Sequence, residues 1–292
     1  MKIVEISQSG VHLKLYHGFM VIQKSGEEIG REPIDDIDCL LIYGYGVTYS
    51  HNLIVRFCEV NIPIILCSGN FMPVGFVVST NANYERKARL DEQINVTLPF
   101  SKKLWQTIIK EKIRNQQIVL EFAKVDAKEF SYLIKKVKSG DIENVEAVAA
   151  RKYWQKLFGK DFKRDYLLDG INSFLNFGYA ILRSCVARYL IATGLDASLG
   201  LHHKNKLNVF CLADDIMEPF RPMVDKIVYE MQVTKNDSLN PQHKKELASL
   251  LEKRLMMNGE NMTIQNCIKK TVMSLLNSYR ARKDLLKFPE FK

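Results

Sequence analysis

Apolar and polar positions follow two different periods along this chain. In SGVHLKLYHG (9–18), Val11, Leu13 and Leu15 alternate with His12, Lys14 and Tyr16. A period of two predicts a strand with one buried face. GFMVIQKSGEEIG (18–30) has strand-forming residues followed by a glycine-containing turn. DCLLIYG (38–44), IPIILCSG (62–69) and PVGFVVS (73–79) are short apolar runs bounded by Gly, Pro or Asn, as strands buried on both faces are. Between them, Leu53, Phe57 and Val60 repeat at helical spacing. Residues 1–80 are therefore expected to form a small mixed sheet with at least one helix, in which His12, His17 and His51 are structural.

The texture changes after residue 80. NANYERKARLDEQINVT (81–97) is polar and helical, and a linker helix is expected over 81–100. Helical patterns then run over 101–125, 127–139, 141–158, about 165–193, 212–234, 241–257 and 261–282, rich in Leu, Lys, Glu and Ala. Strand signals vanish among them. The expected class is α+β: a β-rich N-terminal domain (1–80), the linker helix, and a larger all-helical C-terminal domain (101–292). The tail KDLLKFPEFK is expected to be loosely held.

Charge follows the same break. The chain of 292 residues carries a net +9, but residues 1–80 carry −3 and the remainder +12. A basic helical domain suggests a polyanion, and nucleic acid is the commonest. The six cysteines show no CxxC spacing and several sit in apolar runs, which predicts free buried thiols in a reducing cytosol. No apolar run reaches the length of a membrane span.

Three groups of titratable residues stand out. In DIENVEAVAARKYWQKLFG (141–159), Ile142, Ala149, Ala150, Tyr153 and Leu157 share a helical face with Glu146. A carboxylate in an apolar stripe needs a cation, a metal or a hydrogen-bond network, because bare burial costs about several kcal/mol. The second group is His202 and His203, just after Gly200. The third is LADDIMEPFRP (212–222), where Asp214, Asp215 and Glu218 fall within about one helical turn, with Pro219 and Pro222 imposing a helix start or kink. Arg221 is spaced to orient Glu218 or Asp225. Two carboxylates and a neutral imidazole suit Mg²⁺ or Mn²⁺, and such an ion in a basic domain suits phosphodiester chemistry.

EAVAARKYW (146–154), DGINSFLNFGYAILRSCVARYLIATGLDASLGLHH (169–203) and LADDIMEPFRPMVD (212–225) together resemble the CRISPR-associated adaptation integrases. These are the first-numbered of the CRISPR-associated proteins and are also called endonucleases. The resemblance covers essentially the whole chain and is nearest in style to the type II branch. It implies a metal site of Glu146, His203 and Glu218, with Asp215 in reserve for the third ligand, and structural or DNA-side roles for Asn172 and Asn176. It implies a homodimer through the β-rich domains and assembly with a small ferredoxin-like adaptation partner, two dimers bracketing one partner dimer. It implies a bacterial cytoplasmic enzyme that uses Mg²⁺ or Mn²⁺ to join prespacer 3′-hydroxyls to the leader–repeat DNA. Lys163, Arg164, Arg183, Arg188, Arg280, Arg282 and Lys283 are candidate phosphate contacts. The competing functions are a metal-dependent repair nuclease without integration and a non-catalytic nucleic-acid-binding subunit.

Overall fold

The computed structural model describes residues 3–37, 39–60, 62–68, 73–77, 79, 84–234 and 237–291. Two compact units appear: Met1–Asp91 with Leu190–Leu195, and Glu92–Tyr189 with Asp196–Lys292.

The first unit holds two four-stranded sheets, where the sequence suggested one. Strand β1 (Ile3–Ile6) pairs in parallel with a later strand. Strands β2 (Val11–Tyr16), β3 (Phe19–Lys24) and β4 (Glu27–Pro33) form an antiparallel meander. Its two-residue turns, His17–Gly18 and Ser25–Gly26, have positive φ at both positions. That handedness matches the strand twist and fixes the register. The parallel partner of β1 is β5 (Cys39–Ile42), and β6 (Thr48–Tyr49) adds to the meander beside β2. Helix α1 (His51–Glu59) crosses to β7 (Ile64–Cys67), which lies parallel to β5, and β8 (Pro73–Val77) closes that sheet antiparallel to β7.

β5 explains its own unbroken apolar run. Leu40 and Ile42 pack into a core with Leu13, Met20, Leu53 and Phe57. Cys39 and Leu41, on the other face, pack with Ile65, Ile191 and Ala192. A strand covered on both faces has no polar side to show. His12 bonds Thr48 Oγ1 through Nδ1 at 2.9 Å, a structural contact between β2 and β6.

Helix α2 (Tyr84–Ile94) occupies the expected linker; residues 81–83 lie outside the described residues. The boundary between units falls within α2, later than the expected break at 80. The second unit is built around α3 (Leu98–Phe122), whose Leu104, Trp105, Ile108, Ile109, Ile113, Val119 and Leu120 are buried. Around it lie α4 (Lys128–Lys136), α5 (Val145–Phe158), α7 (Cys211–Met217) and α8 (Arg221–Glu230), and α6 (Ile171–Ala192) contributes its residues up to Tyr189 to the same unit. The expected kink is present: residues 218–220 form a 3₁₀ turn between α7 and α8, with prolines at 219 and 222. Gly178 on α6 permits close packing, because a Cβ there would lie 2.3 Å from Val224 Cγ1 on α8.

The C-terminal part is mostly helical, not all-helical. After α9 (Pro241–Ala248) comes a hairpin of β9 (Arg254–Met257) and β10 (Glu260–Thr263), inside stretches expected to be helical. Its turn is Asn258–Gly259, with φ of 54° and 80°. Asn-Gly tolerates two successive positive φ values better than other dipeptides, and this overrides the helical spacing around it. Thr263 then caps α10 (Ile264–Ala281) by accepting the N–H of Asn266. The tail is anchored as well: Glu290 N bonds Met256 O at 2.7 Å and Phe291 is buried. None of the six cysteines is in a disulfide. No described helix is long and apolar enough to cross a membrane.

Candidate functional site

Within the second unit, α3, α5, the 218–220 turn and the loop at 200–203 supply the candidate chemistry. Glu146 stands in the first turn of α5. Asp141 fixes that turn, its carboxylate accepting the backbone N–H of Val145 at 3.0 Å and of Glu146 at 2.9 Å. The positive end of a helix dipole favours a carboxylate there. Ile142 does not share its face as expected: it precedes the helix and is 71% exposed, whereas Val145, Ala149, Tyr153 and Leu157 are buried.

Glu218 opens the 218–220 turn and is only 4% exposed. Asn115 Nδ2 on α3 holds that turn by donating to the Pro219 carbonyl at 2.8 Å. Lys112, also on α3, does not stand out in the sequence. Its Nζ lies 2.5 Å from Glu146 Oε1 and 2.6 Å from Glu218 Oε2. Arg221 Nε lies 2.9 Å from Glu218 Oε1, an ion pair without a well-directed hydrogen bond from Nε, and its guanidinium sits over the Tyr179 ring. Burial pushes the Glu218 carboxyl up, but Arg221 and Lys112 outweigh it and hold the pKa below the usual carboxylate value. Burial likewise disfavours the Lys112 ammonium, and Glu218 and Glu146 reverse that, so its pKa is raised.

The histidine loop is tied to α7 through Asp215, which is fully buried. Asp215 accepts the backbone N–H of Leu201 at 2.6 Å, of His202 at 3.0 Å and of His203 at 3.3 Å. His203 Nδ1 lies 2.6 Å from Asp215 Oδ1. Gly200 makes this possible, since a Cβ would sit 2.4 Å from His203 O and 2.9 Å from Asp215 Oδ2. Ser101 Oγ on α3 donates to Leu201 O at 2.8 Å. The two histidines have different surroundings: His202 stacks flat on Trp105, with ring centres 4.3 Å apart, while His203 meets Trp105 edge-on. The bond to Asp215 raises the His203 pKa against the opposing effect of burial, and the Glu218 charge adds to the rise. Asp214 turns elsewhere, to Arg183 and Asn208.

As placed, no three His, Cys, Asp or Glu side chains among the described residues enclose a common ion; the Lys112 ammonium lies between the two glutamates instead. The donor set still fits a divalent cation. Two carboxylates share one cation, and Glu218 Oε2 is buried without a well-directed hydrogen bond despite the close Lys112. With Nδ1 engaged by Asp215, His203 has Nε2 left as a ligand atom. Asp215, the reserve ligand, has both oxygens committed to the loop.

The candidate phosphate contacts divide by burial. Arg188 is buried and Arg183 pairs with Asp214 at 2.7 Å. Arg164 donates to Asn172 at 2.9 Å and Asn176 at 2.6 Å, and both asparagines brace the loop before α6. Arg280 is exposed and pairs with Glu92, and Arg282 donates to Asn95 O. Lys163 and Lys283 are exposed.

A family model described as CRISPR associated protein Cas1 matches residues 4–264. The CRISPR-associated endonuclease Cas1 of Neisseria meningitidis serogroup C is 35% identical over 273 residues, covering 91% of this chain and 88% of that protein. Among solved structures, a casposase bound to integration product superposes with a TM-score of 0.75 at 21% identity, covering both chains fully. A chain of a partial Cas6-RT-Cas1–Cas2 complex gives 0.75 at 17% identity, covering 100% of this chain and 99% of its own. With the family model spanning both units and a relative of this identity over nine-tenths of its length, the chain belongs to the Cas1 family.

Proposed function

We propose that this chain is the integrase of CRISPR adaptation, of the type II branch, joining prespacer 3′-hydroxyl ends to a repeat array. The observation that carries this reading is the pairing of Glu146 and Glu218 about one cation, beside an imidazole whose Nδ1 is held by Asp215. Glu146, Glu218 and His203 Nε2 would hold Mg²⁺ or Mn²⁺. Such an ion, when bound, supplies Lewis-acid polarisation of a phosphodiester and stabilises the attacking or leaving oxygen.

The chain's own residues do the rest. Asp215 keeps a proton on His203 Nδ1 and so presents Nε2. Arg221 offsets the charge of buried Glu218. Exposed lysines such as Lys163 and Lys283 contact phosphates. The prespacer 3′-hydroxyl loses its proton and forms a new P–O bond as the P–O bond to the leader 3′-oxygen breaks, and that oxygen takes up a proton. One phosphodiester replaces another, so the step needs no ATP. A second attack of the same kind follows at the far end of the repeat. With water as nucleophile, the same site would act as an endonuclease.

The names of the Neisseria relative and the casposase support nuclease and integrase chemistry. The Cas1–Cas2 neighbour supports a partner of the Cas2 kind. In this reading the partner is small and ferredoxin-like, the chain is a homodimer through its first unit, and two dimers flank one partner dimer in the bacterial cytoplasm. The charge division, −3 over residues 1–80 and +12 beyond, supports protein contacts for the first part and DNA for the second.

The test is strand transfer from labelled prespacer into supercoiled leader–repeat DNA, with the cognate partner and Mn²⁺. Joined product that requires a free 3′-hydroxyl supports the reading. Cleavage by water with no joined product would point to a repair nuclease instead. Strand transfer undiminished in Glu146→Ala would leave the chain a binding subunit.

A further inference from the structure

Lys112 is unusually placed for a lysine. It lies on the buried side of α3, one turn from Ile108 and Ile109 and one turn from Asn115 and Gln116. Its side chain is 11% exposed. Lysines at a helix surface usually run the stem over apolar neighbours and leave the ammonium in water. Here the stem leads inward and the ammonium ends between Glu146 Oε1 at 2.5 Å and Glu218 Oε2 at 2.6 Å. The two glutamates come from separate segments, α5 and the 218–220 turn. Without a cation between them, their charges would repel in a poorly solvated place. A divalent ion held by both carboxylates would need the same oxygens, and two cations cannot share them at such distances without strong repulsion.

We propose that Lys112 is a built-in counter-cation of the candidate metal site, and that ion binding is an exchange in which its ammonium is expelled from between Glu146 and Glu218. The proposal rests on reading Glu146, His203 and Glu218 as the metal-binding set. In the metal-free protein Lys112 holds the carboxylates together and keeps the site preassembled. The same contact opposes metal entry, so affinity for the ion is lower than the ligand set alone would give. Glu218 retains Arg221 after the exchange, whereas Glu146 passes from the ammonium to the ion.

The experiment is Mn²⁺ binding to the full-length, DNA-free protein, followed by calorimetry and by the electron paramagnetic resonance of free Mn²⁺ at constant pH and ionic strength. Melting temperatures with and without Mn²⁺ are recorded alongside. Lys112→Met removes the charge and keeps most of the stem. Lys112→Gln does the same with a polar tip, and serves if the methionine variant does not fold. Either should bind Mn²⁺ about tenfold or more tighter than wild type. Either should also melt lower without metal and gain more from Mn²⁺. Lys112→Arg keeps a cation between the carboxylates and should stay near wild type. Equal or weaker Mn²⁺ binding in the neutral variants, with clear binding by wild type, overturns the exchange but leaves the metal site standing. Absence of binding in wild type and all variants overturns both.

Discussion

Oδ1 of Asp215 lies 2.6 Å from Nδ1 of His203, and the same carboxylate gathers the backbone N–H groups of Leu201, His202 and His203. One buried side chain therefore sets both the path of the loop and the tautomer of the ring. Asp215→Asn cannot accept all four of these bonds, because half of its amide is itself a donor. We expect it to cost about 3 kcal/mol or more in denaturant unfolding and to weaken Mn²⁺ binding roughly ten- to a hundredfold. His202→Ala loses the stack on Trp105 and an edge contact with the His203 ring, about 1 kcal/mol, and should keep strand transfer. His203→Ala should lose it, and raised Mn²⁺ should not restore it. The opposite order for the two histidines would transfer the ligand role to His202.

Glu146→Ala should abolish strand transfer and cleavage while the fold survives. Lys112 keeps Glu218 as its partner at 2.6 Å, so no buried cation is left alone. DNA affinity measured by fluorescence anisotropy should change little, since phosphate contacts come from lysines and arginines spread over the surface. A large drop in affinity together with a lowered melting temperature would mean that Glu146 holds structure, not an ion.

Some of this is legible in the residues and some is not. The carboxylate in an apolar stripe is visible at Glu146, although Ile142 lies outside the helix that gives the stripe its meaning. Lys112 carries the same signal, a charge at helical spacing from Ile108 and Ile109, but a lysine there is ordinarily expected to reach water. Asn258–Gly259 is a hairpin signal hidden by good helix formers on both sides. The separation of two sheets in the first unit is not readable, because it depends on pairings such as β1 with β5 that lie far apart in sequence. Nor is the role of Asp215. Three neighbouring acids look alike in LADDIME, and only the return of the loop at Gly200 decides which one gathers the loop's N–H groups.

Arg183 and Arg188 are not equivalent to the exposed lysines of the basic part. Lys163→Glu and Lys283→Glu should weaken prespacer binding, and removing one phosphate contact should flatten the slope of log affinity against log salt by about 0.9. Arg183→Ala leaves Asp214 without its guanidinium, and Arg188→Ala empties a buried position. Both should lower the melting temperature. Arg183→Ala and Arg188→Ala proteins that are fully stable but fail to bind DNA would show that these side chains leave their internal positions to meet phosphate.

Asp225 gives a pH dependence of stability that does not involve the candidate ligands. Its carboxylate is buried on α8 and accepts hydrogen bonds from Tyr153 on α5 and Tyr179 on α6. Arg221 and Arg164 add positive charge nearby. Burial outweighs all of these and pushes the Asp225 pKa up to about 7. An acid with a raised folded pKa binds more protons folded than unfolded between its two pKa values. Its contribution to stability is therefore full at about pH 4, is lost progressively as pH rises towards about 7, and changes no further above that. The span corresponds to roughly 4 kcal/mol. Asp225→Asn has no proton to lose and still offers an acceptor to one tyrosine. The measurement is urea unfolding of both proteins from pH 5 to pH 8, taken as a difference so that other titrating groups cancel. The difference should move in favour of the Asp225→Asn protein as pH rises, by about 2 kcal/mol or more over that range. A difference independent of pH would mean that Asp225 keeps one protonation state throughout, and that the two tyrosines and two arginines outweigh its burial.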